Sequence, residues 1–340
     1  TFPCWVLPDD YDALLQFAAT HPDRTSYITK PVGEGGGKGI RVVDDQPGIR
    51  SLGGYRTPHL VQTYLTSPHL INGHKWDIRA FVLVSSTVPV RLYMYDRGIV
   101  RFASKRYDMG AKNGGEKTQY LTNTHISKKF GGKNVNVTSL TCSFHKLRDH
   151  LAEKGESFDL LLQKMRAAVS IVFLSGELVW QDIYTKRKDH CANCYQVFGV
   201  DIIASSSGNP KVIEVNAQPN LLITENKRDH YSTTKWSMVK DMIALIHNEN
   251  SAPNALTDAL KGVDPALLAT FSRREWIYLI EYFNERRSLG GWLPVYPAAD
   301  ILPVHDLFLN LEREEAIAAP RMALHEVLRQ IEQRLPLRRP

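Results

Sequence analysis

The chain has 340 residues, of which 43% are hydrophobic and 23% are charged, and its formal net charge is +6. These values are typical of a soluble globular protein with one large core or two smaller ones, and they exclude low-complexity and disulfide-scaffold chains. No apolar run approaches the length of a membrane span, and the first ten residues do not match a signal peptide.

The amino-terminal part predicts a helix over residues 8–19 and two strands, at residues 26–30 and 40–43. A glycine-rich loop with one lysine, Lys38, joins these strands at residues 33–39. Such a loop can lie over phosphate groups because its amides approach closely and the lysine adds charge. The loop has neither P-loop nor GxGxxG spacing, so a flexible hairpin loop is the alternative.

A strand at residues 59–65 is followed by a second strand, residues 75–84, in which polar and apolar side chains alternate. Lys75, Asp77 and Arg79 point to one face and the residues between them to the other. The apolar face predicts a core. The charged face is suited to a cleft that holds phosphates and a sugar hydroxyl, or it is an exposed sheet face with cross-paired charges.

Positive charge is concentrated after this strand. Two further strands are expected at residues 90–95 and 99–103, continuing as antiparallel strands joined through residues 96–98. Residues 97–133 hold nine lysines and arginines against two acidic residues, a local net charge of +7. A field this positive indicates an anionic partner, either an acidic polypeptide or a nucleic acid.

Two helices, residues 145–154 and 158–174, precede a predicted β-hairpin whose strands are residues 196–204 and 211–215. Asp201, Glu214 and Asn216 lie inside this otherwise apolar hairpin. If the turn centres near Ser207, Asp201 faces Glu214, and Glu214 shares a face with Asn216. Three such oxygen ligands suit Mg²⁺, whereas an ordinary amphipathic hairpin is the alternative.

Before this hairpin, Cys191 and Cys194 form a single CxxC beside His190, which is weak evidence for zinc. After it, the sequence predicts a helix at residues 237–248 and a linker at residues 251–254. Ser272 and Glu275 match a capping box ahead of a helix that ends before Gly290. An extended segment at residues 292–297 follows, and the last forty residues predict helices, including one over residues 322–335.

Taken together, these motifs resemble the tubulin tyrosine ligase-like family of ATP-grasp amino-acid ligases over residues 5–297. The segments that carry the resemblance are Lys30-Pro31 with the loop to Gly39, Val61-Gln62-x-Tyr64, Lys75-Trp-Asp-Ile-Arg79, Arg101-Phe-Ala-Ser104, Leu121-Thr-Asn123, Phe198-Gly-Val-Asp201, Ile213-Glu-Val-Asn216 and Asn284-Glu-Arg-Arg with Trp292-x-x-Val-Tyr-Pro297.

The resemblance implies an α+β ATP-grasp fold, with ATP between a small α/β domain and a larger domain built on an antiparallel sheet. It divides the chain into a subdomain with the glycine-rich loop (residues 1–68), a subdomain with the catalytic and Mg²⁺ site (69–250) and a helical extension (251–340).

The resemblance also implies roles for individual residues. Contacts to ATP are implied for Lys30, Lys38, Gly39, Gln62, Tyr64, Lys75 and Asp77. Catalytic roles are implied for Arg79, Arg101 and Asn123. Ligation of Mg²⁺ is implied for Asp201, Glu214 and Asn216.

The implied reaction joins a free amino acid to a protein carboxylate that ATP has activated as an acyl phosphate. The expected acceptor is an acidic tail such as that of tubulin, with glutamate as the added amino acid, in the cytoplasm at the cytoskeleton or a cilium. Glycine or tyrosine ligation, and an inactive binder of acidic tails, are the alternatives. The run Ala217-Gln218-Pro219-Asn220 departs from the Ser-Pro-Ser-like run of many members, which bears on substrate preference.

Overall fold

The computed structural model describes residues 2–22, 26–35, 37–44, 46–87, 89–108, 121–122, 140–186, 194–223, 229–247, 253–301 and 319–334. Asn123 and most of the basic segment therefore lie outside the described residues. The chain divides into two compact units. Unit 1 comprises Thr1–Arg79, Ile99–Gly155 and Asp201–Ile213, and unit 2 comprises Ala80–Gly98, Glu156–Val200 and Glu214–Pro340.

Helices and strands of comparable number make up the described chain, as expected for an α+β fold. The helices are α1 (Tyr11–Thr20), α2 (Gln46–Ser51), α3 (Phe144–Ala152), α4 (Phe158–Lys186), α5 (His230–Ile246), α6 (Pro253–Leu260), α7 (Pro265–Ala269), α8 (Arg273–Arg287) and α9 (Ala319–Glu332). The strands are β1 (Cys4–Leu7), β2 (Tyr27–Pro31), β3 (Arg41–Val43), β4 (His59–Thr63), β5 (Leu70–Ile71), β6 (His74–Thr87), β7 (Val90–Tyr95), β8 (Ile99–Phe102), β9 (Thr141–Ser143), β10 (Gln196–Ala204), β11 (Pro210–Asn216) and β12 (Trp292–Tyr296).

The described strands form two sheets. The smaller sheet has the order β1-β4-β2-β3 with antiparallel pairing throughout. The larger sheet follows the path β11-β10-β6-β7-β12, while β5 and β8 also pair with β6 and β9 pairs with β8. The two strands predicted on either side of the glycine-rich loop are confirmed, and β2 and β3 pair directly with each other.

Each unit has an apolar core of its own. In unit 1, Trp5 and Leu7 of β1 pack with Leu14 of α1, Tyr27 of β2 and Val61 of β4. All five side chains are less than one-tenth exposed, so this cluster fixes the small sheet against α1.

In unit 2, a second cluster joins α8 to α9 through Tyr278, Tyr282, Val327 and Ile331. The predicted capping box begins α8: Ser272 accepts from the Glu275 amide and Glu275 accepts from the Ser272 amide.

A buried ion-pair network adds to the attachment of α8 within unit 2. Arg91 of β7 is 2% exposed and donates to both carboxylate oxygens of Glu285 at 3.0 Å. Tyr93 donates to the same carboxylate at 2.7 Å, and the Tyr278 hydroxyl donates to the Val90 carbonyl at 2.9 Å. Pairing of this kind is required because an isolated charge is costly to bury.

Some sequence-based boundaries require correction. Helix α4 continues to Lys186 instead of ending at residue 174, and Glu177 in the added part accepts a hydrogen bond from the Val90 amide at 2.9 Å. The predicted linker at residues 251–254 is wrong in its second half, because α6 begins at Pro253. Proline is well tolerated in the first turn of a helix, since its missing N–H has no partner there.

The strands β7 and β8 do not pair with each other. β7 pairs with the second half of β6 and β8 with its first half, so both run antiparallel to β6 and in the same direction. Residues 96–98, which join β7 to β8, therefore do not form a hairpin turn. The Asp96 amide instead donates to the Gly291 carbonyl at 2.8 Å.

Candidate active site

Lys75 begins the charged face of β6 in unit 1. Its side chain is buried, its Nζ donates to the Tyr64 hydroxyl at 2.9 Å and the same Nζ lies 4.5 Å from the centre of the Tyr64 ring. Burial lowers the pKa of Lys75 to about 8, an effect that Asp77 opposes and Lys30 reinforces. The structure thus brings Lys30, Tyr64, Lys75 and Asp77, four of the predicted site residues, close together.

Asp77 and Arg101 stand directly opposite each other on β6 and β8. The Arg101 guanidinium donates to both oxygens of Asp77, at 2.6 and 2.8 Å, and also lies 3.0 Å from an oxygen of Asp201. Asp201 in turn accepts two hydrogen bonds from Arg79, at 2.5 and 3.0 Å. The result is an alternating chain, Asp77–Arg101–Asp201–Arg79, which we call the charge chain.

The charge chain is largely buried, with Asp77 4%, Arg101 8% and Asp201 8% exposed. Burial alone would raise the pKa of Asp201, but Arg101 and Arg79 outweigh it and hold that pKa below its usual range. Burial likewise opposes the charge of Arg101, yet Asp77 and Asp201 raise its pKa above the ordinary value. Asp201 and Arg101 are therefore ionised at neutral pH, in a place where water cannot screen them well.

This burial decides between the two interpretations of the β6 charges. The alternation predicted either a cleft or an exposed face with cross-paired charges. The charges are cross-paired, as in the second interpretation, but the face is buried, so the alternative of an exposed sheet face is wrong.

Thr122 contacts the charge chain, and the sequence analysis did not single it out. Its hydroxyl donates to Asp77, and its side chain is buried. The motif Leu121-Thr-Asn123 was the available signal, because a threonine inside it is a ready hydrogen-bond donor. Asn123 itself lies outside the described residues.

Lys38 and Gly39 are the two residues of the glycine-rich loop for which ATP contacts were predicted, and their surroundings differ. Lys38 is exposed and lies 3.8 Å from Glu34. Gly39 has a φ of +68°, and a Cβ there would lie 2.5 Å from Cγ of Pro31, so only glycine fits. On its β3 side the loop thus has a defined conformation at Gly39 and carries an exposed cation, Lys38.

Gln62 is buried in the middle of β4, opposite Ile28 of β2. A small apolar cluster joins Ile28 and Leu121, with Val42 and Tyr64 packed against them. This cluster gives unit 1 an apolar surface beside Lys75, whose amine is bonded to Tyr64.

A sequence model of the tubulin-tyrosine ligase family matches residues 3–253, about three quarters of the chain. The chain belongs to the tubulin-tyrosine ligase family. The expected family and the α+β ATP-grasp fold are thereby confirmed. The match ends at residue 253, so α7, α8 and α9 lie beyond it.

Several proteins named as tubulin glutamylases are similar to this chain. The tubulin monoglutamylase TTLL4 of Homo sapiens is 32% identical over 246 residues, and the tubulin polyglutamylase TTLL5 of Homo sapiens is 29% identical over 249. Each alignment covers 71% of this chain but 20% and 19% of the relative. The tubulin polyglutamylase ttll-4 of Caenorhabditis elegans is 30% identical over 327 residues, 87% of this chain and 53% of its own length.

The predicted metal ligands have suitable donor chemistry. Asp201 and Glu214 supply carboxylates, and Glu214 is exposed. The Asn216 amide nitrogen donates to the Gly199 carbonyl at 3.2 Å, which leaves the Asn216 carbonyl oxygen as the acceptor. Two carboxylates and one amide oxygen match the hard oxygen ligands of Mg²⁺. The role of these three residues stays a prediction.

Zinc is not supported at the single CxxC. Cys194 is disulfide-bonded, so its sulfur is not the thiolate that zinc requires, and Cys191 lies outside the described residues. None of the helices in the described part of the chain is long and apolar enough to cross a membrane.

Proposed function

We propose that the chain is an ATP-dependent ligase that joins glutamate to a carboxylate of an acidic protein tail, with tubulin as the acceptor. The observation that carries the proposal is the charge chain with Lys75 beside it: two arginines and two aspartates that pair with one another, and a lysine, in a largely buried place. Phosphoryl transfer needs positioned charge above all, and this set supplies it. The glutamylase relatives indicate which amino acid to test first.

In the first step, an oxygen of the acceptor carboxylate attacks the γ-phosphorus of ATP. The bond between that phosphorus and the bridging oxygen breaks, and ADP leaves with the electron pair. Lys30, Lys75 and Lys38 neutralise the phosphates, and Arg79 and Arg101 stabilise the charge on the transferring group. Asp77, already fixed by Arg101 and Thr122, orients the nucleoside.

In the second step, the amine of glutamate attacks the carbonyl carbon of the acyl phosphate. Phosphate leaves with the electron pair of the C–O bond, and the amine loses a proton, so an isopeptide bond remains. Arg79 and Arg101 stabilise the oxyanion that forms during this attack.

Asp201, Glu214 and Asn216 would hold Mg²⁺, which supplies charge neutralisation for the phosphates of ATP when it is bound. The apolar cluster around Ile28, Leu121 and Tyr64 would pack against adenine, with Gln62 beside it. The three-part division at residues 68/69 and 250/251 belongs to the same proposal, as does association with the cytoskeleton through the tubulin tail.

The reaction is tested by incubating the protein with ATP, Mg²⁺, one amino acid and a synthetic tubulin-tail peptide, followed by mass spectrometry. We expect addition of glutamyl residues and release of ADP. Addition of glycine or tyrosine instead would contradict the amino-acid assignment. Peptide binding without ADP release in any combination would indicate an inactive binder.

The lowered pKa of Lys75 predicts pH-dependent nucleotide binding. Bound phosphate favours the charged amine, so affinity should be highest below pH 8 and fall by up to about tenfold per pH unit above it. Calorimetric titration with ATP between pH 6.5 and 9.5 measures this dependence. In Lys75→Arg the guanidinium stays charged, and the slope above pH 8 should disappear; an identical slope in this variant would contradict the role of Lys75.

Charge reversal at Lys105 and Arg106 tests whether the basic segment, residues 97–133, binds the acidic tail. Both residues are exposed and belong to the part of the segment that the structure describes. The double change to glutamate should weaken binding of the acidic peptide at least about tenfold at low salt and reduce its salt dependence. The same change at Lys240 and Lys261, exposed lysines of unit 2, is the control. Equal affinities for both variants and the unaltered protein would contradict a role for the segment in tail binding.

A further inference from the structure

The seven residues after Asn216, residues 217–223, are held at several points in unit 2; we call them the strap. Gln196 of β10 donates to the Ala217 carbonyl at 2.6 Å, at the start of the strap. Within it, the Leu222 amide bonds to the Asn220 side chain at 2.8 Å. The Leu222 carbonyl accepts from Nζ of Lys235 at 2.8 Å.

Lys235 is an unusual anchor because it is only 3% exposed. It lies in the second turn of α5, and its Nζ is also 4.5 Å from the centre of the Tyr231 ring. The helix that carries it has a fixed start, since the Asp229 side chain caps it by accepting from the Ser232 amide. A buried amine costs free energy, so its bond to the strap carbonyl is a strong constraint on the strap.

While its backbone is fixed, the strap presents its side chains outward. Leu222 is 74% exposed and Leu221 36%, and Ala217, Gln218 and Asn220 are exposed as well. Large apolar side chains held outward by a fixed backbone are suited to contact another molecule. The strap contains no charged residue, so it would not select a carboxylate by charge.

We propose that the strap recognises the acceptor polypeptide through an apolar side chain that neighbours the modified glutamate, and that Lys235 is its positioning residue. The proposal rests on the proposed function, because it places the strap directly after Glu214 and Asn216. It adds a specificity that the basic segment does not supply: charge attracts the acidic tail, and the strap selects the site along it.

Two synthetic acidic peptides test the recognition. One contains only glutamate and glycine, and the other has one leucine beside the acceptor glutamate. The unaltered protein should use the leucine peptide with a roughly five- to tenfold higher kcat/KM, the effect expected from partial burial of one leucine. Leu222→Ser should remove this preference while the KM for ATP is unchanged. A preference that survives in Leu222→Ser would overturn the proposal.

Hydrogen exchange tests the anchor independently of the reaction. Lys235→Met should speed amide exchange in residues 217–223 at least about tenfold and raise the KM for the leucine peptide more than it lowers kcat. In Lys235→Arg, the increase in exchange rate and the increase in KM should both be smaller than in Lys235→Met. Lys240→Met alters an exposed lysine of the same helix and should change neither quantity. Unchanged exchange in Lys235→Met would overturn the anchor.

The two proposals fail in different ways. If no acceptor is modified at all, the proposed function fails, while fluorescence anisotropy of the two labelled peptides still measures the strap preference. Equal binding of both peptides would then overturn the strap proposal as well.

Discussion

Replacing Glu214 by glutamine is expected to lower kcat for glutamate transfer at least about a hundredfold. The change removes one of two carboxylates that would hold Mg²⁺ and leaves a neutral group of the same size. Because Glu214 is exposed, the free energy of unfolding should change by less than about 0.5 kcal/mol. Both quantities can be measured on the same preparation, by transfer assay and urea denaturation.

Glu153→Gln is the matched control, since Glu153 is an exposed glutamate of unit 1. It should leave both quantities unchanged. Activity of Glu214→Gln within about twofold of the unaltered protein would remove Glu214 from the metal site.

Replacing Arg101 by glutamine is expected to have the largest effect on stability, a loss of about 3–5 kcal/mol. The change leaves Asp77 and Asp201 buried without their shared cation, and an uncompensated buried charge is costly. Denaturation in urea measures the loss, which should shrink at acid pH, where the freed carboxylates take up protons. Activity should fall as well, because Arg101 also stabilises the transferring group.

A second substitution separates the ion pair from a general packing effect. Asp77→Asn added to Arg101→Gln should recover at least about 1 kcal/mol, because Asp77 loses its cation in Arg101→Gln whereas Asp201 keeps Arg79. Arg106→Gln, at an exposed arginine, should have little effect. A loss below about 1 kcal/mol in Arg101→Gln would contradict the buried charge chain.

The strands that carry the candidate site could be predicted from the sequence, because the pattern that identifies each strand is local. The alternation in β6 and the apolar run of β10 each identify a strand, and alternation assigns Lys75, Asp77 and Arg79 to one face. The capping box at Ser272 was equally local, since both partners lie within four residues.

The contacts within the site could not be predicted in the same way. Asp77 meets Arg101 through the register of β6 with β8, and Arg79 meets Asp201 across 122 residues of sequence. Sequence patterns define faces but not registers, so both aspartates were assigned to ligands and neither to an arginine. The contact of Lys235 could not be predicted from the sequence either, because its partner is the backbone carbonyl of Leu222 and not a side chain.

The end of α4 and the start of α6 were misjudged for local reasons. In α4, Gly176 weakens the helical pattern, but the helix continues and the Glu177 side chain accepts a hydrogen bond from the Val90 amide. In α6, Pro253 also weakens the pattern, but a proline in the first turn is compatible with a helix.

The most direct test of the ligase assignment is a parallel measurement of ADP release and glutamyl transfer to a tubulin-tail peptide. The proposed mechanism predicts one ADP for each glutamyl residue added, no steady ADP release when either peptide or glutamate is omitted, and loss of both signals in Glu214→Gln. ADP release that continues unchanged without the peptide, or the absence of any glutamyl product alongside ADP release, would contradict it.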